Sequence, residues 1–226
     1  MRLLNLSLIL LLCALYSTSC KKTTTNTVTK TVIDSVLFTP AVYPDYMVLK
    51  PGNYWIYQAY TVFSADSAVP ASYPPDSFYV EKDTAIGSYT YHKLVKNISF
   101  QHTQQILYLR DSLSYVVGNG GGIFFSSQDS TTVFRTIQYS SPAAGVPDTI
   151  PVTYQMGLMQ NLTTVPIGVF PTCTYRQIFH FTPAHPMEEI DWKYAENIGL
   201  IVQTLGFYTN PSASWLEDRL IRYHVE

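Results

Sequence analysis

An all-β fold, a single antiparallel curved sheet or open half-barrel, is predicted by three observations. Eighteen tyrosines and eleven phenylalanines among 226 residues favour pleated, half-buried surfaces. Short alternating or aromatic runs recur about every ten residues from Val36 onward, separated by Pro, Gly, Asn, Asp and Ser, the rhythm of sandwiches and barrels. No stretch sustains helical periodicity between caps, so at most one short helix is expected, around Met156 to Gln160. With 46% hydrophobic and 13% charged residues, the chain can build one globular core.

The front of the chain stands apart from this pattern. Leu8-Ile9-Leu10-Leu11-Leu12-Cys13-Ala14-Leu15 follows the basic Arg2 and is too short for a bilayer span, which needs about 20 apolar residues. Behind it come the small residues Ser17-Thr18-Ser19, then Cys20, then the polar run Lys21-Lys22-Thr23-Thr24-Thr25-Asn26-Thr27. The arrangement resembles a bacterial lipoprotein signal, with Ser17 where the usual pattern has Leu. That resemblance implies cleavage before Cys20, acylation of its thiol, and a hydrophilic tether that lets the folded part stand off the membrane. The expected organisation is a signal peptide over residues 1–19, a lipidated cysteine and flexible tether over 20–35, and a single β domain over 36–226. The tether is rich in Thr and Lys and has too few apolar side chains to order itself. The lipid bilayer, reached through acylated Cys20, is the expected partner, and the cell envelope the expected location, at an outer membrane facing the periplasm or the cell surface.

Candidate strands follow in order at 53–63, 77–82, 88–96, 104–110, 113–117, 122–126, 131–139, 149–155, 173–182, 190–195, 199–207 and 216–225. In the first, Tyr54, Ile56, Gln58, Tyr60 and Val62 share one face and Trp55, Tyr57, Ala59, Thr61 and Phe63 the other. Both faces are apolar or aromatic, which asks for cover on two sides or for a lined cavity. Pro70, Pro74 and Pro75 mark an irregular connection over about 64–76. Gly118-Asn119-Gly120-Gly121-Gly122 supplies the positive-φ positions of a hairpin turn and lacks the Lys-Ser/Thr of a phosphate loop.

Two patches carry a wider resemblance. Leu49-Lys50-Pro51-Gly52-Asn53-Tyr54-Trp55-Ile56-Tyr57 resembles the opening of the mature domain in Bacteroidetes-type lipoproteins, where a Gly-Asn-x-Trp-x-Tyr segment begins the first long strand. Tyr194-Ala195-Glu196-Asn197-Ile198-Gly199-Leu200-Ile201 resembles a segment near the end of such proteins. The resemblance implies an envelope lipoprotein with a curved antiparallel sheet, and brings no catalytic residue with it. On their own, Gly52-Asn53 reads as a turn, Trp55 and Tyr57 as sheet residues, and Asn197 with Gly199 as a bulge or tight turn. Trp55 and Trp192 are both expected to be structural.

Chemistry is sparse. A formal net charge of −2, with fourteen basic residues scattered along the chain, excludes a nucleic-acid partner. Cys13 departs with the signal and Cys20 carries acyl chains, which leaves Cys173 as a lone thiol, expected to be buried and inert. No Gly-x-Ser-x-Gly elbow, His-Glu-x-x-His helix, Cys-x-x-Cys pair or dinucleotide fingerprint occurs. No cofactor is expected, and the chain reads as a non-enzyme. The densest ionisable cluster lies in the 180–191 loop, where His180, His185, Glu188 and Asp191 are weak candidates for a metal or acid/base site. Pro183 and Pro186 leave the path of that loop undetermined.

Seven of the ten aspartates precede Ser or Thr. Six of the seven dipeptides are followed by Val, Ala, Leu, Thr or Ile, a pattern that resembles the acceptor motif of Bacteroidetes O-glycosylation. Ser67, Thr84, Ser112, Ser130 and Thr149 are the candidate acceptors, and Asx turns at strand ends are the alternative. Three functions are weighed: a membrane-anchored binding or structural module with an apolar-aromatic concavity, a glycan-contacting surface lipoprotein, and an enzyme acting through the 180–191 loop. The expected ligand is apolar or a glycan. Exposure of Tyr73, Tyr91, Tyr139 and Tyr208 discriminates the second reading, since exposed aromatics contact sugars and buried ones only fill a core.

Overall fold

The computed structural model describes residues 41–64, 67–99, 101–140, 149–157, 161–180, 188–205 and 214–226. The signal segment, Cys20, the tether, His185, residues 158–160 of the expected helix and Tyr208 lie outside the described residues.

Fourteen strands are present: β1 (Tyr54–Ser64), β2 (Ser67–Pro70), β3 (Asp76–Ile86), β4 (Tyr89–Ile98), β5 (Thr103–Ser112), β6 (Tyr115–Gly118), β7 (Ile123–Ser126), β8 (Val133–Ser140), β9 (Thr149–Met156), β10 (Asn161–Val165), β11 (Gly168–Phe179), β12 (Glu188–Ala195), β13 (Gly199–Leu205) and β14 (Trp215–His224). Among the described residues there is no helix. Met156 ends a strand where the sequence suggested a helical turn.

All strands join one antiparallel sheet in the order β7-β6-β5-β4-β3-β1-β14-β13-β12-β11-β9-β8, with β2 added to β1 and β10 to β11. The last strand therefore pairs with the first, and the hairpins at either hand curl the sheet into a nearly closed barrel. β7 meets β8 and β9 without a hydrogen-bonded ladder. At this seam Tyr115 of β6 meets Phe134 of β8 edge-on at 6.5 Å, and Phe125 of β7 reaches across the interior to Tyr194 of β12 at 5.0 Å.

Twelve of these strands follow the alternation read from sequence; β2 and β10 are additions. Each of the two takes over one side of a long strand after another partner ends. β1 pairs β3 over Tyr54–Tyr57 and then β2 from Tyr60, while β11 pairs β10 up to Thr172 and β9 from Tyr175. Pro171 sits in the stretch of β11 that β10 alone pairs, which is how a strand accommodates a residue without an N–H. β11 consequently begins at Gly168, ahead of the expected 173.

The core occupies the concave side. Trp55, Tyr57 and Ala59 are buried there, as expected for one face of β1. The opposite face of β1 is half-buried from Tyr54 to Tyr60 and buried at Val62, so it is only partly covered where its apolar composition suggested full cover. Its side chains are satisfied within the sheet: Tyr54 stacks on His224 at 5.7 Å, the Arg219 guanidinium lies over Tyr60 at 5.1 Å, and the Gln58 amide donates to the Ala71 carbonyl at 3.0 Å.

The two sequence patches meet in space. The Trp55 indole N–H donates to the Ile198 carbonyl, and the Tyr57 hydroxyl donates to the Leu200 carbonyl at 3.0 Å. Gly199, at φ +105°, presses against the indole so closely that an added Cβ would lie 2.8 Å from Nε1. Buried Asn53 donates to the Val48 carbonyl at 2.9 Å and accepts the Glu226 N–H at 3.0 Å, tying the segment before β1 to the C-terminus. That hold keeps Val48 in the left-handed region, φ 46°, costly for a β-branched residue, while the Asp45 carboxylate accepts the N–H groups of Met47 and Val48. Tyr46, Met47, Val48 and Leu49 thereby enter the core cluster.

Candidate functional site

Strand alternation places one row of side chains inward along each strand, and these rows enclose a cavity of about 510 Å³. Leu94, Lys96 and Ile98 come from β4, Leu107 and Leu109 from β5, and Phe124 from β7. Facing them are Tyr154 of β9, Tyr175 and Gln177 of β11, Trp192 and Tyr194 of β12, and Gln203 of β13. Exposed Gln101, Gln105 and Arg135 also line it and mark where it meets solvent. At its inner end Met47, Lys96 and Tyr194 also line a small void of about 20 Å³ against Trp55, Tyr57 and Phe78. The volume lies within the range of small-ligand sites.

The aromatic wall is a ladder across strands. The Arg135 guanidinium lies 4.4 Å over the Tyr154 ring, Tyr154 stacks on Tyr175 at 6.1 Å and 29°, and Tyr175 packs on Trp192 at 5.4 Å. The rings pack against one another, and all three line the cavity. Trp192 is therefore a cavity-wall residue, where the sequence suggested a purely structural one. Burial, reinforced by Tyr154 for Tyr175 and by Tyr175 for Tyr194, raises the pKa of both hydroxyls, so they remain neutral donors.

On either side of β1 lies an ionisable pair that sequence reading missed. Asp218 of β14 is opposite Ala59 and Asp76 of β3 is opposite Tyr57, so the two carboxyls flank β1 and meet over its smallest inward side chain. Both are buried. Asp76 Oδ1 accepts the Ser99 N–H at 2.6 Å, whereas neither oxygen of Asp218 meets an N–H or O–H donor. Burial and the adjacent Asp76 push the Asp218 pKa up to about 8, so it keeps its proton and donates it to Asp76. Lys96 faces the same region, its ammonium 4.6 Å from the Phe78 ring centroid, and burial pulls its pKa down to about 8 against the opposing pull of Asp218. Gln203, opposite Asp218 in register, has a buried Oε1 without a donor.

The 180–191 candidates are not brought together. His180 leans toward β9, its Nε2 2.8 Å from the Thr153 hydroxyl, while Asp191 lies across β11 on β12. There Arg176 lies 3.5 Å from Glu189 and 3.7 Å from Asp191. Burial raises the Asp191 pKa despite Arg176. The side chain of Glu188 lies outside the described residues, and among the described residues no three His, Cys, Asp or Glu side chains converge for a metal. Cys173 is fully buried, and burial pushes its thiol pKa up to about 12.

Of the candidate acceptors, Ser67, Ser130 and Thr149 are exposed and Ser112 half-buried at the β5–β6 turn. The Thr84 hydroxyl is buried within β3. Asp129 forms an Asx turn, its Oδ1 accepting the N–H groups of Thr131 and Thr132 at 3.0 Å each. Tyr73 and Tyr139 are 43% exposed and Tyr91 is buried, so the discriminating tyrosines do not share one environment.

No protein-family model matches the chain, and no curated protein does. Among solved structures, a candidate exported protein of YMCC-like fold from Bacteroides fragilis aligns over 80% of this chain and 99% of its own, with 12% identity and a TM-score of 0.49. A candidate lipoprotein from Parabacteroides distasonis aligns over 81% of this chain and 100% of its own, with 9% identity and a TM-score of 0.50. The likeness is one of fold.

Proposed function

We propose that this chain is an envelope lipoprotein, anchored through acylated Cys20, whose β domain is a non-catalytic binding module with its ligand site on the concave side of the sheet. The observation that carries the reading is the 510 Å³ cavity, walled by Tyr154, Tyr175 and Trp192 on one side and by Leu94, Ile98 and Leu107 on the other. A sheet that served only as a structural module would fill that space with side chains. The arrangement offers surfaces that hold a ligand and, among the described residues, no activated nucleophile beside them: the Cys173 thiol is buried with a raised pKa, and the Asp76–Asp218 pair is not part of the lining. The lipoprotein part is supported by the Ser17-Thr18-Ser19-Cys20 sequence.

Two measurements test the two parts. Membrane fractionation of Cys20→Ala should move the protein to the soluble envelope fraction, and unchanged retention refutes the anchor. For the cavity, the neutral probe N-phenyl-1-naphthylamine should brighten on binding the Cys20→Ala chain. Leu107→Trp, which puts a larger side chain into the lining, should abolish the signal without lowering the melting temperature. Equal brightening with both chains refutes the concave site.

A further inference from the structure

We propose that the cavity is selective for a single anionic amphiphile, an apolar body ending in a carboxylate or phosphate, whose charged group is received by Lys96, Tyr175, Trp192 and Tyr194; this rests on the concave-site reading above.

Hydrogen-bond complementarity favours such a ligand. Among the described residues, the Lys96 ammonium, the Trp192 indole N–H and the hydroxyls of Tyr175 and Tyr194 make no hydrogen bond within the protein, yet all four residues line the cavity. None of the four polar atoms is sealed off, so they form a set of accessible donors facing one space, free to meet a single acceptor group from outside. The register brings them together: Tyr175 is opposite Trp192, Tyr194 is two residues further along the same face of β12, and Lys96 shares the inner end of the cavity with Tyr194.

Charge favours the same ligand. Lys96 and Arg135 line the cavity, and no Asp or Glu does. The lining itself therefore presents only positive charge. An anionic group meets that charge, and in a partly desolvated site such a charge-assisted contact is stronger than its equivalent in water. The remaining lining decides the rest of the ligand. Leu94, Ile98, Leu107 and Phe124 present hydrocarbon, which suits an acyl or aryl body. A saccharide fits less well, because the stacked faces of Tyr154 and Tyr175 are already occupied by each other.

The test is calorimetric titration of the Cys20→Ala chain with dodecanoate, dodecyl phosphate and dodecanol, which share one hydrocarbon body. Dodecanoate or dodecyl phosphate should bind at least about tenfold more tightly than dodecanol. The tighter of the two anions distinguishes a fatty carboxylate from a lipid phosphate as the source. Lys96→Met should erase that preference, bringing the affinities for the two anions down to that for dodecanol. Arg135→Gln, at an exposed position, should weaken both anions and serves as the second variant should Lys96→Met lower the melting temperature. Equal affinity for the three ligands overturns the charge selectivity and leaves the concave site standing. Failure of all three, together with failure of the neutral naphthylamine probe, overturns the site itself.

Discussion

Replacing Asp218 by Asn should make the protein more stable at neutral pH and remove a pH dependence that the native chain carries. Asp218 is buried, and its pKa is pushed from an ordinary 3.8 up to about 8 by burial and by Asp76. A folded-state value above the unfolded one means that the stability is fully present below about 4 and is lost as pH rises toward 8. Between pH 5 and 7 the fold keeps a proton that the unfolded chain has released, and the slope is about 1.4 kcal/mol per pH unit. Over those two units the native protein should lose on the order of 3 kcal/mol through this pair. Asn keeps the shape, donates an N–H to Asp76 as the protonated carboxyl does, and has no proton to lose. Lys96 acts in a different window: its value of about 8 lies below the ordinary 10.5, so its contribution is lost as pH falls through 8 and regained only toward 10.5. It therefore does not mask the effect between 5 and 7. Urea denaturation of both chains at pH 5, 6 and 7 is the assay. A native stability that is flat over this range, or an Asp218→Asn chain that tracks the native slope, would refute the shared-proton account.

Three further outcomes follow from the same contacts. Gly199→Ala should cost about 2–4 kcal/mol, because Cβ meets the Trp55 indole at a positive φ, whereas Gly120→Ala, with nothing within 4 Å, should leave the melting temperature unchanged; equal melting temperatures would remove the Trp55–Gly199 contact from the account. Cys173 should resist iodoacetamide in the native protein at pH 8 and react once it is denatured, since its thiol is buried with a pKa of about 12, and rapid native labelling would contradict that burial. Intact-mass measurement of the natively expressed protein should show hexose-sized increments that map to Ser67, Ser130 or Thr149 and not to Thr84, whose hydroxyl is buried; a mass matching the acylated chain alone would leave the Asp-Ser/Thr dipeptides as turns.

The sequence by itself determined the class of fold and most of its strands, because alternation and turn residues act over a few neighbours and need no tertiary partner. Trp55 and Tyr57 fell on a core face for that reason, and Gly118 to Gly122 on a turn. It also carried a signal for the buried charges. Lys96 lies between Leu94 and Ile98 on one face of its strand, and Asp218 between Leu216 and Leu220, so each is a charge at an apolar position. What alternation cannot say is which strands become neighbours. Asp76 and Asp218 are 142 positions apart, and they come together because β14 pairs β1 on the side opposite β3, with only Ala59 between them. The same holds for Trp192, whose neighbours in sequence mark it as a sheet residue, and which lines a cavity because β4 and β5 curve around to face it. Local pattern assigned each side chain to a face. Only the closure of the sheet decided that the inner face would leave a cavity, since curvature and pairing order are properties of all the strands together.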